Sequence, residues 1–397
     1  MKKILIVYPS MSVGGSTTSL LGLLNSLDSK KYCVDLQLYK NSGKYIDFIP
    51  DSINLLPEVC PFKNQIQSVL LRVFSYSYWK AFFRSFKIKN KYPNSLGVSQ
   101  ETAYARAKIS KKSNKKYDIA IGFLEMWSNS YVLQRVKATK KIAWIHVDYA
   151  QSGMIAEIDR NRFKDFSNFI LVSKEAEKSF KKIFPEYQDK SLFIENILYP
   201  EIVIKKSLES SAKKCYRKQE VINFGTVCRI EFRHKGLDRA LLTFKKMKDL
   251  GYSFCWHIIG NGSDYEKLNR MIDEYGLNEN VFLYGEMSNP LPLVKHFDIF
   301  LLPSYYEGKP MVITESQMLN VPSLVTRYSS ADEQILNMEN GMIVDNSQDG
   351  IDYGVKYVLD NINILSFWKE NLYKKHWSYD DTIDKINKLL GDDACDY

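Results

Sequence analysis

The stretch SYYEGKPMVITES, Ser304 to Ser316, follows the apolar run FDIFLLP and decides how this chain can fold. An apolar run, a turn containing Gly308 and Pro310, and a helix-forming segment together predict a strand-to-helix corner. In α/β proteins such corners lie at the carboxyl ends of strands and hold anionic ligands. Because Glu307 and Glu315 lie eight positions apart across the corner, the stretch is either a ligand site or a capped helix start.

Apolar runs of this kind alternate with helical patterns along most of the chain. The predicted strands are KKILIVYP, CVDLQLY, YDIAIGFLE, KKIAWIHV and NFILVS in the first half, and VINFGTV, SFCWHIIG, VFLYG, DIFLLPS, PSLVTR and NGMIVD in the second. Repeated βαβ units predict a parallel sheet covered by helices. The predicted fold class is therefore α/β, with two Rossmann-like doubly wound domains facing one another across a cleft.

The length of 397 residues fits two domains. A Lys-rich and Ser-rich stretch of irregular pattern, Glu201 to Gln219, marks the boundary between them. We therefore predict one Rossmann-like domain over residues 1–198 and a second over 199–375. The amphipathic segment YDDTIDKINKLL predicts a C-terminal helix within residues 376–397 that packs back on the first domain.

Cysteine spacing and the N-terminal sequence predict a cytoplasmic protein. The six cysteines lie far apart without a Cys-x-x-Cys pair, which favours reduced thiols over disulfides or a zinc site. The opening apolar run breaks at Pro9 and lacks a small-residue cleavage site, so it indicates a first strand rather than a signal peptide. No run of about 18 apolar residues occurs, which predicts that no helix spans a membrane.

The net charge of +9 is unevenly distributed. From Val59 to Gln100 there is no acidic residue, and seven Lys and Arg side chains alternate with many aromatic ones. Residues 62–91 therefore either contact an anionic membrane surface or form a surface helix with a buried aromatic face. Nucleic acid is not expected as a partner, because no helix-turn-helix, RNP or zinc pattern accompanies the charge.

Candidate ligand-binding residues are those that directly follow the predicted strands. They are Gly14, Gly15 and His146 in the first half, and Arg229, Gly260 to Gly262, Gly285 to Ser288 and Glu307 to Met311 in the second. Gly14 and Gly15 allow close approach of a phosphate or sugar, with Ser16 or Thr17 as helix cap, or they form a plain tight turn. His146 is either a crevice residue or a structural histidine.

The corner itself has the chemistry of an anion site. Pro310 suits the first turn of a helix, whose free amides and dipole attract negative charge. Glu307 can accept hydrogen bonds from sugar hydroxyls and Glu315 from a ribose diol; alternatively, one is a cap and the other a surface glutamate. Arg229 and Lys235, in the loop RIEFRHKG, suit a diphosphate, or they are simply solvated.

These segments together resemble the retaining glycosyltransferases of family 4, which have the GT-B fold. The resemblance is carried by NFGTVCRIEFRHKGLDRALLTFKKM, HIIGNGSDYEKL, VFLYGEMSNPLPLVKHFDIFLLPSYYEGKPMVITESQMLNVPSLVT and NGMIVD, and in the first half by VYPSMSVGGSTTSLLGLLNSLD and WIHVD. It implies that the first domain binds the acceptor and the second binds the nucleotide sugar. The loop GNGSDY lacks the third glycine of a dinucleotide fingerprint, so an NAD-dependent oxidoreductase is a poorer interpretation.

By this resemblance Glu307 contacts the transferred sugar, Glu315 the ribose, and Arg229 with Lys235 the diphosphate. His146 matches a crevice histidine that contacts the donor sugar near the reacting centre. The implied catalytic residues are His146, Arg229, Lys235 and Glu307, and the implied donor-binding residues are Gly15, Ser16, Gly262, Gly285, Met287, Gly308, Lys309, Pro310, Met311 and Glu315. Lys309 departs from the usual continuation of the motif, which leaves the donor sugar open.

The expected activity is transfer of a hexose or N-acetylhexosamine from a nucleotide sugar, with UDP favoured, to a saccharide acceptor. By resemblance, transfer retains the anomeric configuration. The basic aromatic stretch suggests that the acceptor is lipid-linked, as in capsule, O-antigen or teichoic acid assembly, at the inner face of the membrane. No cofactor is expected, and the absence of an Asp-x-Asp triplet predicts a reaction without a metal. The alternative is a non-catalytic sugar-nucleotide-binding or assembly scaffold of the same fold.

Overall fold

The computed structural model describes residues 1–12, 14–60, 75–93, 95–210 and 221–391. The chain divides into two compact units. The first comprises Met1–Ile197 and Tyr379–Tyr397, and the second comprises Leu198–Ser378. The boundaries predicted from the sequence were 198/199 and 375/376.

The first unit is built on a seven-stranded parallel sheet in the order β3-β2-β1-β4-β5-β6-β7. The strands are β1 Lys2–Tyr8, β2 Tyr32–Leu38, β3 Asn54–Leu55, β4 Lys116–Gly122, β5 Lys137–Ile145, β6 Asn168–Leu171 and β7 Ser191–Phe193. Its helices are α1 Gly15–Ser26, α2 Tyr76–Lys91, α3 Gly97–Ile109, α4 Trp127–Arg135, α5 Ala156–Phe163 and α6 Lys174–Ile183. Short 3-10 helices span Ile46–Phe48 and Pro185–Lys190.

The second unit is built on a six-stranded parallel sheet in the order β10-β9-β8-β11-β12-β13. The strands are β8 Ile222–Val227, β9 Phe254–Ile259, β10 Val281–Gly285, β11 Ile299–Leu302, β12 Ser323–Thr326 and β13 Gly341–Val344. The helices are α7 Pro200–Ser207, α8 Phe232–Lys235, α9 Leu237–Asp249, α10 Tyr265–Glu274, α11 Leu291–Val294, α12 Met311–Met318, α13 Ala331–Gln334, α14 Gln348–Asp360 and α15 Ile364–Tyr373.

The strand order of each sheet reverses at its first strand, and this reversal positions the candidate residues. Central strands such as β1 and β9 are buried almost throughout, because helices cover both faces of the sheet. In the first unit β1 lies between β2, which follows it in the sequence, and β4. In the second unit β8 lies between β9 and β11 in the same way. The crevice at such a switch point binds ligands in open α/β sheets. The predicted Rossmann-like class is therefore confirmed for both units.

Some local expectations were wrong. The stretch Glu201 to Gln219 begins with helix α7, whose first residue is Pro200, instead of being irregular; residues 211–220 lie outside the described range. The helix α1 begins after Gly14, and neither Ser16 nor Thr17 caps it. Both hydroxyls contact the Tyr8 hydroxyl instead, at 2.7 and 3.1 Å.

Four cysteines, Cys33, Cys60, Cys228 and Cys255, are thiols in the structure. The other two, Cys215 and Cys395, lie outside the described residues. The prediction of reduced thiols is therefore supported for the four that are described.

The basic aromatic stretch forms helix α2 over its described part, and residues 62–74 lie outside the described range. The interpretation as a surface helix with a buried aromatic face is wrong. Four of its aromatic side chains, Trp79, Phe82, Phe83 and Phe86, are among the exposed large hydrophobic residues. Within the residues that the structure describes, no helix has the length and apolar character needed to cross a bilayer.

The last helix, α16 Asp380–Leu389, belongs to the first unit. Its final carbonyls accept hydrogen bonds from lysines of the sheet: Lys140 Nζ lies 2.7 Å from the Leu389 oxygen and Lys2 Nζ 2.9 Å from the Leu390 oxygen. Cations at a helix C-terminus also interact favourably with its dipole. Ile386 and Leu389 are buried, so α16 packs as part of the first unit's core.

We expect Leu389→Ala to lower the free energy of unfolding by about 2 to 3 kcal/mol, because it deletes buried methyl groups and leaves a cavity. Equilibrium urea unfolding measures this change. Lys388→Ala is the matched control, since Lys388 is exposed on the same turn and such substitutions change stability by less than about 0.5 kcal/mol. Equal unfolding curves for the two variants would show that α16 is not packed as described.

Candidate functional site

The candidate site of the second unit is formed by two loops at the switch point. One follows β8 and runs from Cys228 to Lys235; the other follows β11 and runs from Pro303 to Pro310. The backbone amide of Tyr305 donates to the His234 carbonyl over 2.9 Å. Arg239, in the first turn of α9, donates to the Pro303 carbonyl over 2.8 Å and stacks on the Tyr305 ring. The loops are therefore held together although they lie far apart in sequence.

A buried ion pair joins these two loops. Lys235 Nζ lies 2.5 Å from Oε1 of Glu307, and both side chains are largely excluded from solvent. Ser304 Oγ donates to the same oxygen over 2.6 Å. Lys235 ends the one-turn helix α8, in a segment expected to be a loop, and the left-handed backbone of Gly236 (φ 62°) turns the chain directly into α9.

Glu307 is ionised in this environment. Burial by itself would raise the pKa of its carboxyl, but the Lys235 ammonium and, to a lesser degree, His234 lower it to about 2. A carboxylate held in this way accepts hydrogen bonds and does not donate a proton near neutral pH. Glu307 can therefore orient hydroxyl groups, and it is unsuited to act as a general acid.

His234 was missed by the sequence analysis. Its Nε2 lies 2.9 Å from the Tyr306 carbonyl oxygen, so this nitrogen carries a hydrogen, and 3.7 Å from Oε2 of Glu307. Its ring stacks on Tyr306 with centroids 4.2 Å apart and planes inclined by 8°. The histidine thereby fixes the turn that carries Glu307. Its position next to Lys235 in the sequence was the only available signal.

Arg229, predicted to bind a diphosphate, lies apart from this pair. Its side chain is 67% exposed, and its Nε lies 3.3 Å from Oε2 of Glu231. An exposed ion pair of this kind contributes little to stability and exchanges readily with solvent. Arg229 is therefore a solvent-facing cation at the edge of the loop, and Lys235 is the buried one.

The glycines of the loop GNGSDY serve the packing of the protein backbone. A Cβ at Gly260 would lie 1.8 Å from the Cys228 carbonyl oxygen, and one at Gly262 would lie 2.2 Å from the Ile230 carbonyl oxygen. The loop after β8 therefore requires glycine at both positions, and contact of Gly262 with the donor stays a prediction. Gly14 differs, since a Cβ there would meet no atom within 4 Å.

Other predicted donor-binding residues of the second unit follow the carboxyl ends of β10 and β11. Gly285 ends β10 at a β-bulge with φ 68°, and Met287 packs against the neighbouring apolar cluster. Gly308 is buried, and Lys309 is partly buried. Pro310 is the residue before α12, one position earlier than expected, so Met311 is the first helical residue. The amides that begin α12 have no acceptors within the helix.

Glu315 lies in α12 and has the opposite electrostatic character from Glu307. Burial raises the pKa of its carboxyl to about 7, and the charge of Lys206 opposes this only in part. Burial in turn lowers the pKa of Lys206, which belongs to α7. A carboxyl group with this pKa changes its charge near the pH of a cell. Ionised, it can accept two hydrogen bonds from a vicinal diol.

In the first unit, His146 follows β5 and is flanked by Glu125, which the sequence analysis also missed. Oε2 of Glu125 accepts the His146 backbone amide over 3.1 Å. Burial lowers the pKa of the His146 imidazole to about 3, so the ring is neutral, and burial raises the pKa of Glu125. Among the described residues, His146 Nε2 has no hydrogen-bond partner although it is buried. Such an atom calls for a ligand or a water.

Comparison with known proteins finds a family match within the second unit. Residues 213–375 match the family model for glycosyl transferases group 1. These residues contain Lys235, Glu307 and Glu315. Membership of family 4 in particular stays a prediction.

Curated relatives are similar over part of the chain. The uncharacterized glycosyltransferase MJ1059 of Methanocaldococcus jannaschii is 26% identical over 226 residues, which is 54% of this chain and 53% of that protein. The capsular polysaccharide biosynthesis glycosyltransferase CapH of Staphylococcus aureus is 26% identical over 51% of this chain and 65% of its own length. A third relative, the capsular polysaccharide biosynthesis glycosyltransferase CapM of S. aureus, is 30% identical over 28% of this chain and 30% of its own length. The chain therefore spans less than two thirds of these relatives.

Solved structures confirm the fold over the whole chain. The Anabaena protein Alr3699/HepE in complex with UDP-glucose has a TM-score of 0.69 at 14% identity, covering 99% of this chain and 100% of that one. WaaG, a glycosyltransferase involved in lipopolysaccharide biosynthesis, has a TM-score of 0.60 at 14% identity, covering 98% of this chain and 99% of that one. At these identities the likeness concerns the fold alone, which is the GT-B class predicted from the sequence.

The raised pKa of the buried Glu315 carboxyl predicts a specific dependence of the second unit's stability on pH. Its folded-state pKa of about 7 lies above the ordinary 4.5, so the unfolded chain releases this proton first. The contribution of the protonated Glu315 carboxyl to folding stability is complete below pH 4.5 and is lost as the pH rises to about 7. Relative to wild type, Glu315→Gln should therefore gain a few degrees in Tm across this range and nothing further above it.

Thermal unfolding at half-unit pH intervals measures this difference. Glu339→Gln is the control, because Glu339 is exposed in the same unit. If the curves for Glu315→Gln and wild type run parallel from pH 4.5 to 8, the carboxyl of Glu315 does not titrate as described.

Proposed function

We propose that this protein is a glycosyltransferase that moves a hexose or N-acetylhexosamine from a nucleotide sugar to a saccharide acceptor in surface polysaccharide biosynthesis. The observation that carries this proposal is the buried Lys235–Glu307 pair at the switch point of a group 1 domain. The names of the relatives CapM and CapH support the polysaccharide context. UDP is the favoured nucleotide, which agrees with the UDP-glucose complex of Alr3699/HepE.

In this proposal the second unit binds the donor through three groups. The Lys235 ammonium, which has three donors, keeps its bond to Glu307 and offers its remaining hydrogens to the diphosphate. The first amides of α12 bind the same anion with the helix dipole behind them. Glu307 accepts hydrogen bonds from hydroxyls of the sugar, and Glu315 in its ionised form accepts from the ribose.

During transfer the bond from the anomeric carbon to the diphosphate oxygen breaks, and negative charge grows on the departing diphosphate. Lys235 and the start of α12 stabilise that charge without moving, which is the most effective form of electrostatic catalysis. The exposed Arg229 side chain adds its positive charge to this stabilisation of the diphosphate when its ion pair with Glu231 opens. The acceptor hydroxyl forms the new bond and its proton passes to the departing phosphate, so no protein nucleophile is assigned.

Several finer parts of the proposal rest on the sequence, including its resemblance to family 4. They are retention of configuration, a lipid-linked acceptor, a reaction without metal or cofactor, and a site of action on the cytoplasmic face of the membrane. Contacts of His146, Gly15 and Ser16 with the donor, and the cleft between the two domains, also stay predictions. The unpartnered Nε2 of neutral His146 supports its role, because a bare nitrogen can accept a hydrogen bond from a sugar hydroxyl.

We expect Glu307→Gln and Lys235→Met each to lower kcat by about 100-fold or more, because each removes one of the groups that bind or stabilise the reacting donor. Each single variant also leaves the other member of the pair buried without its counter-charge, which lowers the free energy of unfolding by about 3 kcal/mol. The double variant should recover much of that stability and none of the turnover. Release of nucleotide from a panel of sugar nucleotides, together with urea unfolding, measures both effects.

Glu266→Gln and Lys248→Met are matched controls, since both residues are exposed in the same unit, and they should retain turnover. Near-normal turnover by both site variants would refute the assigned site. Tight donor binding by wild type without hydrolysis or transfer would instead indicate a sugar-nucleotide-binding scaffold.

A further inference from the structure

Helix α2 presents an aromatic stripe to solvent. The stripe consists of Trp79, Phe82, Phe83 and Phe86, whose side chains are 47%, 62%, 63% and 65% exposed. Spacings of three, four and seven residues place all four on one face of a helix. Their rings touch one another, with centroid distances of 5.8 to 6.1 Å among Trp79, Phe82 and Phe83. Contiguous exposed apolar surface of this kind marks an interaction site.

The opposite face of α2 is the one that packs on the protein. Ala81 is buried, and Ile88 lies so close to Gly97 of α3 that a Cβ there would come within 2.6 Å of its Cγ2. Arg84 turns toward α3 as well, with Nη1 3.7 Å from Oε2 of Glu101. The stripe therefore points away from the unit that carries it.

Lysines flank the stripe on both sides. At 3.6 residues per turn, Lys80 and Lys87 project along one edge of the stripe and Lys89 along the other. All three are exposed, and no acidic residue occurs between Val59 and Gln100. These flanking lysines make both edges of the stripe positive.

We propose that this face of α2 docks the protein on an anionic lipid bilayer. The helix lies parallel to the surface, with the aromatic stripe at the boundary between headgroups and acyl chains and the flanking lysines among the anionic headgroups. Apolar burial supplies one part of the affinity, and attraction of the lysines to the surface potential supplies the other. Two copies of the chain meeting through this face would set like charges against each other, which disfavours a dimer as the occupant.

The biological use of this surface rests on the proposed function, because membrane docking would bring the second unit's donor to an acceptor carried on lipid. The docking itself does not depend on that function. Vesicle binding needs no donor or acceptor, and donor hydrolysis in solution needs no vesicle. The two proposals can therefore fail separately.

Co-sedimentation with vesicles tests the proposal. The full-length chain should bind vesicles of phosphatidylcholine with 30 to 40% phosphatidylglycerol, and bind pure phosphatidylcholine far more weakly. The triple variant Lys80→Gln/Lys87→Gln/Lys89→Gln should lose roughly a hundredfold in partition coefficient. The control Lys30→Gln/Lys116→Gln/Lys137→Gln removes the same charge from exposed lysines outside α2, and it should lose less than threefold.

A second variant tests the stripe. Phe82→Ser/Phe86→Ser keeps every charge and alters only exposed side chains, so it should fold and yet lose at least tenfold in vesicle binding. Trp79 fluorescence should shift to shorter wavelength with anionic vesicles in wild type, and Trp79→Phe should lack this component of the signal.

Several results would overturn the proposal. They are equal binding of wild type to neutral and anionic vesicles, equal binding by the lysine variant and its control, and unchanged binding by the phenylalanine variant. A concentration-dependent dimer in sedimentation velocity that the phenylalanine variant abolishes, with no vesicle binding, would assign the face to a second copy instead.

Discussion

The ion pair between Lys235 and Glu307 is the constraint on which the second unit's site depends. The two residues lie 72 positions apart, and they meet because β8 and β11 are neighbours at the point where the strand order reverses. Each charge would be costly to bury alone, and each makes the burial of the other possible. The pair thus fixes a cation and a carboxylate at one corner of the sheet with no net charge.

The surroundings of this pair are arranged to hold it still. Ser304 donates a hydrogen bond to one oxygen of the carboxylate, and the stacking of His234 on Tyr306 ties the two loops together and leaves the other oxygen free to accept from a ligand. Groups that do not need to reorganise are the ones that stabilise developing charge most effectively. Glu315 contrasts with this arrangement, since the effect of burial outweighs the charge of Lys206 and raises the pKa of its carboxyl to about 7.

Much of this architecture could be predicted from the sequence, because apolar runs of strand length alternate with helical patterns in both halves. The rule that ligands bind beyond the carboxyl ends of strands was enough to select Glu307 and His146 as candidates, and Lys235 was selected as a cation of the loop that follows β8. What could not be predicted depends on contacts between distant segments. Nothing in the pattern of GNGSDY shows that Gly262 lies against the Ile230 carbonyl oxygen, and nothing near His146 indicates Glu125. Helices α3 to α5 were also missed, since they lack a regular apolar stripe.

The return of α16 to the first unit has a consequence for how the chain is made. The first unit is discontinuous, since Met1–Ile197 is completed only by Tyr379–Tyr397. On a ribosome the whole second unit emerges before Leu389. The second unit can therefore finish folding while the surface of the first unit on which α16 packs is still uncovered. The first unit, most of which is translated first, is therefore the last to be completed. Until then the apolar surface that α16 covers is exposed and can be bound by chaperones.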